Sequence, residues 1–178
     1  MQGIIIGNIS NTYKIKTQTK IYEAYARGKF KSEEITPLVG DKVEIEITDE
    51  ANNSAIIEGI LPRKNEIKRP KMANIDQIIF IVSTKNPKPD LLMLDKQLAY
   101  VEKLKIEPII VINKSDLQDT YKEIQELYSS IGYKTIVTSA KQNQGIDEVR
   151  SILKNKISAF SGNSGVGKSS IINALFGK

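Results

Sequence analysis

The chain has 178 residues, 40% of them apolar, with 26 Lys and Arg against 21 Asp and Glu, a formal net charge of +5, and neither cysteine nor histidine. That length and apolar content suit one medium domain or two small ones with a true core, and argue against disorder. Disulfides, zinc sites and histidine acid–base chemistry are excluded within these residues; with no run of 18 apolar residues, and no signal-peptide pattern in "MQGIIIG", a cytoplasmic chain with no membrane partner is expected.

Residues 1 to about 66 read as short strands. "DKVEIEIT" alternates Val43, Ile45 and Ile47 with Lys42, Glu44 and Glu46, the two-residue period of a half-buried strand. Further strands are predicted over 3–9, 12–17, 20–26 and 54–61, with turn signals at "NISNT", "LVGD" and "EANNS". Five short strands with little room for helix predict a small barrel; the OB-fold, an oligonucleotide binder, fits the count and the basic loops best, and an SH3-like barrel is the alternative. Cations cluster in "RGKFK" (Arg27, Lys29, Lys31) and "RKNEIKRPK" (Arg63, Lys64, Lys68, Arg69, Lys71). These are candidate contacts to RNA phosphates, at positions expected to be solvated. Tyr13, Tyr22 and Tyr25 lie in the same region, where an exposed ring stacks on a base and a buried one merely packs.

From Asn74 the rhythm changes. "IDQIIFIVS" is a continuous apolar run suited to a strand covered on both faces, and "PDLLMLDKQLAYVEKL" follows with helical spacing through Leu91, Leu94, Leu98 and Val101. The cycle repeats with strand "EPIIVIN", helix "TYKEIQELYSSIG", strand "KTIV", helix "GIDEVRSILKN" and strand "ISAFSG". Strands alternating with helices of this length predict a parallel α/β sheet, whose ligands lie beyond the carboxyl ends of its strands.

Three short motifs fall at those ends. "GNSGVGKS", Gly162 to Ser169, fits the phosphate-loop pattern GxxxxGK[ST] between an apolar strand and the helix "SIINALF". Gly162, Asn163, Ser164, Gly165, Val166 and Gly167 are expected to curl N–H groups around phosphates, aided by the helix field and by Ser170; Lys168 reaches the β and γ phosphates, and Ser169 offers a hydroxyl to Mg²⁺. "NKSD", Asn113, Lys114, Ser115 and Asp116, follows a buried strand. A carboxylate at Asp116 accepts two hydrogen bonds from guanine and is left unpaired by adenine. Asn113 either pairs with the base or braces the phosphate loop, and the Lys114 stem lies along the base face. "TSAK" ends the next strand, where the N–H of Ala140 is expected to meet guanine O6, Ser139 to buttress Asp116, and Lys141 to flank the base.

The order NKSD, TSAK, phosphate loop resembles the circularly permuted GTPases, in which the phosphate loop has moved from first to last of these motifs. "ARGKF…ITPLVGDKVEIE" followed by "RP…NIDQIIFIVS" narrows the resemblance to the ribosome small-subunit-dependent GTPases, the RsgA or YjeQ family. It implies an OB-fold over 1–66 that binds RNA and a partial permuted G domain over 67–178. It further implies GTP and GDP as ligands, hydrolysis of GTP, the small ribosomal subunit and its rRNA as partners in late maturation, and action as a monomer. The family's switch segment, DxxG motif and zinc subdomain have no counterpart in these residues. No catalytic residue is therefore assigned within the chain, no zinc ligand is expected in it, and turnover by it alone is not expected. Two competitors stay open: a non-catalytic RNA-binding module with a vestigial guanine pocket, and an ATPase with a chance NKSD.

Overall fold

The computed structural model of the protein describes residues 1–28, 30, 35–68 and 70–177, in two compact units, Met1–Ile75 and Asp76–Lys178. In the first unit β1 (Gln2–Ile9), β2 (Thr12–Lys16), β3 (Ile21–Ala26), β4 (Lys42–Asp49) and β5 (Ser54–Ile60) close a barrel in the order β1-β2-β3-β5-β4. Alternate residues such as Ile5, Ile15, Tyr22, Val43 and Ile57 fill its interior. Parity along the strands decides the tyrosines: Tyr13 and Tyr22 share the buried phase of Ile15 and Ala24, whereas Tyr25 is out of phase and 58% exposed. The β4–β5 turn is an Asx-turn, Asp49 Oδ1 accepting from the N–H groups of Ala51 (2.9 Å) and Asn52 (3.1 Å). A parallel β3–β5 pair in an otherwise antiparallel barrel is the OB-fold arrangement, not the SH3-like one.

The barrel unit extends past residue 66 to Ile75. Strands β6 (Glu66–Lys68) and β7 (Lys71–Ala73), too short and basic to show a period, form a hairpin tied to the barrel by polar bonds rather than by an apolar face alone. Asn65 Nδ2 donates to Ile75 O (2.8 Å), Ile75 N to Asn65 Oδ1 (2.9 Å), Asn74 Nδ2 to Gly40 O (2.9 Å) and Ala73 N to Val39 O (2.9 Å).

The same tie corrects the reading of Arg63 as a solvated phosphate contact. Its Nε and Nη2 donate to both oxygens of Asp41 (2.8 Å each), its Nη1 to Glu66 (2.7 Å) and its Nη2 also to Thr36 O (2.8 Å). The Asp41 side chain is fully buried. A guanidinium so committed balances a buried carboxylate, and has little left to offer a phosphate.

The second unit is a four-stranded parallel sheet of order β10-β9-β8-β11: β8 (Gln77–Ser83), β9 (Glu107–Asn113), β10 (Lys134–Val137) and β11 (Ser158–Ser161). Helices α1 (Leu91–Lys103), α2 (Tyr121–Ser130), α3 (Ile146–Leu153) and α4 (Lys168–Phe176) connect or follow the strands. Every residue of β8 is buried, as a central strand covered on both faces requires. The chain steps outward from β8 to β9 to β10, then returns past β8 to β11. Right-handed crossovers therefore place α1 and α2 on one face and α3 on the other. Ile79, Ile81, Val111 and Ile136 pack there with Val149, Ile152, Ile171 and Leu175 of α3 and α4. The reversal makes the carboxyl ends of β8 and β11 the switch point, where a ligand crevice opens. Among the described residues no helix is long and apolar enough to cross a membrane.

Candidate nucleotide-binding site

The phosphate loop leaves β11 at Gly162 and enters α4 at Lys168. Two of its glycines are required by space. A Cβ on Gly162 would lie 2.4 Å from Ile81 O, and one on Gly167, whose φ is +98°, would lie 2.2 Å from Asn113 Nδ2. Val166 is 4% exposed and plugs the loop into the core, while Asn163, Ser164 and Gly165 stay exposed. Lys168 Nζ donates to Gly162 O (2.7 Å) and Asn163 O (2.8 Å), which holds the ammonium against the loop it serves.

Asn113, at the end of β9, is the joint of the site. Its Nδ2 donates to Val166 O (2.9 Å), and its Oδ1 accepts from Thr138 Oγ1 and Ala140 N (3.2 Å each). Its bonds thus show the bracing role, and they turn the Ala140 N–H toward Asn113 rather than leaving it directed only at a base. Lys114 has φ +63°, and its Nζ donates to Gly165 O (2.7 Å) and Asn86 O, while its own carbonyl accepts from Thr84 Oγ1 (2.7 Å). Thr84 and Asn86, in the loop after β8, thereby join the site, although no motif marks them. Ser115 N donates to Thr138 O (3.2 Å), fastening the NKSD turn to the exit of β10.

Ser139 Oγ accepts from Gln142 N (3.2 Å) and donates to Asp116 Oδ1 (2.6 Å), so its proton points at the carboxylate. One Asp116 oxygen is thereby fixed, and the other makes no hydrogen bond among the described residues. A hollow of about 400 Å³ connects these parts, walled by Asp116, Leu117 and Lys141 on one side and by Gly167 and Ser170 on the other. That volume is at the scale of a small-molecule pocket.

No three His, Cys, Asp or Glu residues stand together to hold a metal among the described residues. The hydroxyl of Ser169, in the first turn of α4, makes no hydrogen bond among them either, which suits an ion held mainly by phosphates with one protein hydroxyl. Of the basic residues, Arg27 pairs with Glu46 (3.2 Å) and Glu58 (2.7 Å), Lys64 and Lys71 are exposed, and Lys29, Lys31 and Arg69 lie outside the described residues.

A phosphate loop, an NKxD-type loop and an SAK-type loop at neighbouring strand ends, with the phosphate loop last in the chain and an OB-fold before it, define a circularly permuted P-loop GTPase domain with an N-terminal barrel. The RsgA GTPase family model matches residues 60–178, and that of the RsgA N-terminal domain matches residues 2–57. The chain belongs to the RsgA GTPase family. It is 43% identical over 177 residues to the small ribosomal subunit biogenesis GTPase RsgA of Caldanaerobacter subterraneus subsp. tengcongensis, covering 98% of this chain and 59% of that protein. The RsgA of Clostridium novyi is 43% identical over 180 residues, covering 100% and 61%. The chain thus spans about three fifths of the length of these curated relatives. Among solved structures, YjeQ from Thermotoga maritima superposes with a TM-score of 0.87 at 38% identity, over 98% of this chain and 64% of that one. YloQ, described as a circularly permuted GTPase, gives 0.82 at 35%, over 97% and 63%.

Proposed function

We propose that the chain carries the guanine-nucleotide pocket and an RNA-binding barrel of a GTPase that hydrolyses GTP to GDP and phosphate on the small ribosomal subunit, assisting its late maturation as a cytoplasmic monomer. The observation that carries the nucleotide reading is Asp116: one oxygen is held by Ser139, and the residue lines the hollow that ends at the phosphate loop. Two donors on guanine match a carboxylate, and adenine would leave it unpaired. Lys168 exchanges the carbonyls of Gly162 and Asn163 for β and γ phosphate oxygens, and the Gly162–Gly167 backbone with the start of α4 supplies N–H groups. Ser169 is the residue that would hold Mg²⁺, which when bound neutralises charge between the β and γ phosphates. Ser170 faces the same hollow from the phosphate side. The name shared by the relatives, small ribosomal subunit biogenesis GTPase, supports the partner.

The test is Asp116→Asn. Asn keeps an oxygen for the Ser139 hydroxyl, so the loop is preserved, but it replaces an acceptor with a donor. GTP affinity is expected to fall by about 10- to 100-fold, following the roughly 1–3 kcal/mol cost of an unmatched buried group, while xanthine nucleotide, with a carbonyl in place of the guanine amine, gains. Titrations of both nucleotides against both proteins decide; an unchanged preference ends the assignment.

A further inference from the structure

We propose that the β6–β7 hairpin is a clamp that takes one stretch of RNA phosphate backbone between Lys68 and Lys71. The proposal rests on the RNA-binding reading of the barrel unit and names the site within it. Lys68 and Lys71 are paired directly across the hairpin, so both side chains rise from the same side of the ribbon. Both are exposed, and neither makes a hydrogen bond or ion pair among the described residues. Two like charges facing each other at that spacing repel, and a fold ordinarily avoids the arrangement. The acid that shares their side by the two-residue period, Glu66, has its carboxylate on Arg63 Nη1 at 2.7 Å.

The strands that carry the two lysines are fastened in place. On the opposite side of the ribbon Ile67 is 3% exposed, and at the ribbon's edge the backbone at Met72 pairs with that at Val39. The root is held by the Asn65–Ile75, Asn74–Gly40 and Arg63–Asp41 bonds already described. The hairpin therefore presents two ammonium groups with no counter-ion among the described residues, and a bound anion satisfies both at once. A phosphodiester suits them: its two unesterified oxygens accept from two point-charge donors without the planar fork that arginine supplies. The backbone of RNA repeats that group along its length.

The experiment measures binding of the full chain to purified small ribosomal subunits from 50 to 300 mM KCl, for the wild type, Lys68→Gln/Lys71→Gln and Lys68→Arg/Lys71→Arg. Loss of two phosphate contacts is expected to flatten the slope of log K against log salt by roughly 1.4–1.8 and to weaken binding about 10-fold or more at low salt. The arginine pair retains binding. The melting temperature of the glutamine pair holds or rises because the repulsion is gone, and its GDP affinity is unchanged. A glutamine pair that binds with the wild-type slope overturns the clamp while leaving the RNA reading intact. Weakened binding with a fallen melting temperature and no rescue by arginine makes the pair structural and overturns it as well. A wild type without salt-dependent binding defeats the RNA reading and the clamp with it. Unchanged subunit binding with loss of retention on a polyglutamate column assigns the hairpin to an acidic protein instead.

Discussion

Replacing Gly167 with alanine is expected to lower guanine-nucleotide affinity about 30-fold or more while leaving the OB-fold barrel unchanged. The residue sits at φ +98°, where a side chain costs about 1–2 kcal/mol, and its Cβ would lie 2.2 Å from Asn113 Nδ2. The amide must move, and it is the group that holds Val166 O on the phosphate loop. Its other end holds Thr138 and Ala140, so one methyl group disturbs all three loops. Loss of a buried hydrogen bond adds about 1–3 kcal/mol, and the sum of about 2–5 kcal/mol spans roughly 30- to 5000-fold in binding. Gly132→Ala is the matched control. Gly132 has φ +96° but nothing within 4 Å of a built Cβ, so it carries the backbone strain without the collision. Titration with a fluorescent GDP separates the two; equal affinities would show that the Asn113 brace is dispensable.

Asp41→Ala or Arg63→Ala is expected to destabilise the barrel by about 3–5 kcal/mol, the cost of leaving one member of a buried ion pair uncompensated. The Asp41 side chain is 0% exposed and that of Arg63 21%, so solvent screens this pair little. The two substitutions act by different routes. Removing Asp41 also strands the N–H of Leu38, which donates to its Oδ2 at 2.7 Å. Removing Arg63 strands the carboxylate and frees Glu66 and the Thr36 carbonyl at the root of the hairpin. Denaturant unfolding followed by the fluorescence of the tyrosines, in a chain without tryptophan, reads the loss. The double variant should cost less than the sum of the two, because no unpaired charge remains. A loss below 1 kcal/mol for Arg63→Ala would place the pair with exposed surface bridges and return Arg63 to the pool of RNA contacts.

The barrel was legible in the sequence because its strands alternate: Val43 and Ile45 fall inside and Glu44 and Glu46 outside, as the period demands. The α/β unit was legible for a different reason, since a fully apolar strand such as Ile78–Val82 and the helical spacing of Leu94, Leu98 and Val101 leave few alternatives. The nucleotide loops were found by motif, and the Ser139–Asp116 contact follows from their adjacency. What the residues did not reveal depends on distant partners. Nothing near Arg63 announces Asp41, 22 positions earlier, and nothing in NKSD tells whether Asn113 meets a base or a carbonyl 53 positions later. The β6–β7 hairpin escaped because three-residue strands carry too little period to read, and Asn86 because a loop carbonyl acts through its backbone and leaves no trace in residue type.

The pairing of β8 with β11 joins strands far apart in the chain, with Gln77 and Ser158 in register 81 positions apart. During synthesis the base loops at the ends of β9 and β10 emerge before the phosphate loop does. At about 5–20 residues per second the interval between the two sheet partners is roughly 4–16 s. Closing so long a segment costs entropy that grows only slowly with its length, but the closing contacts cannot form earlier. Nucleotide therefore has no complete seat on the growing chain until β11 has docked, and once docked it is held by any ligand that bridges base and phosphate, by RT ln(1 + [L]/Kd). In this chain order, occupancy by guanine nucleotide becomes a report that β11 has docked beside β8.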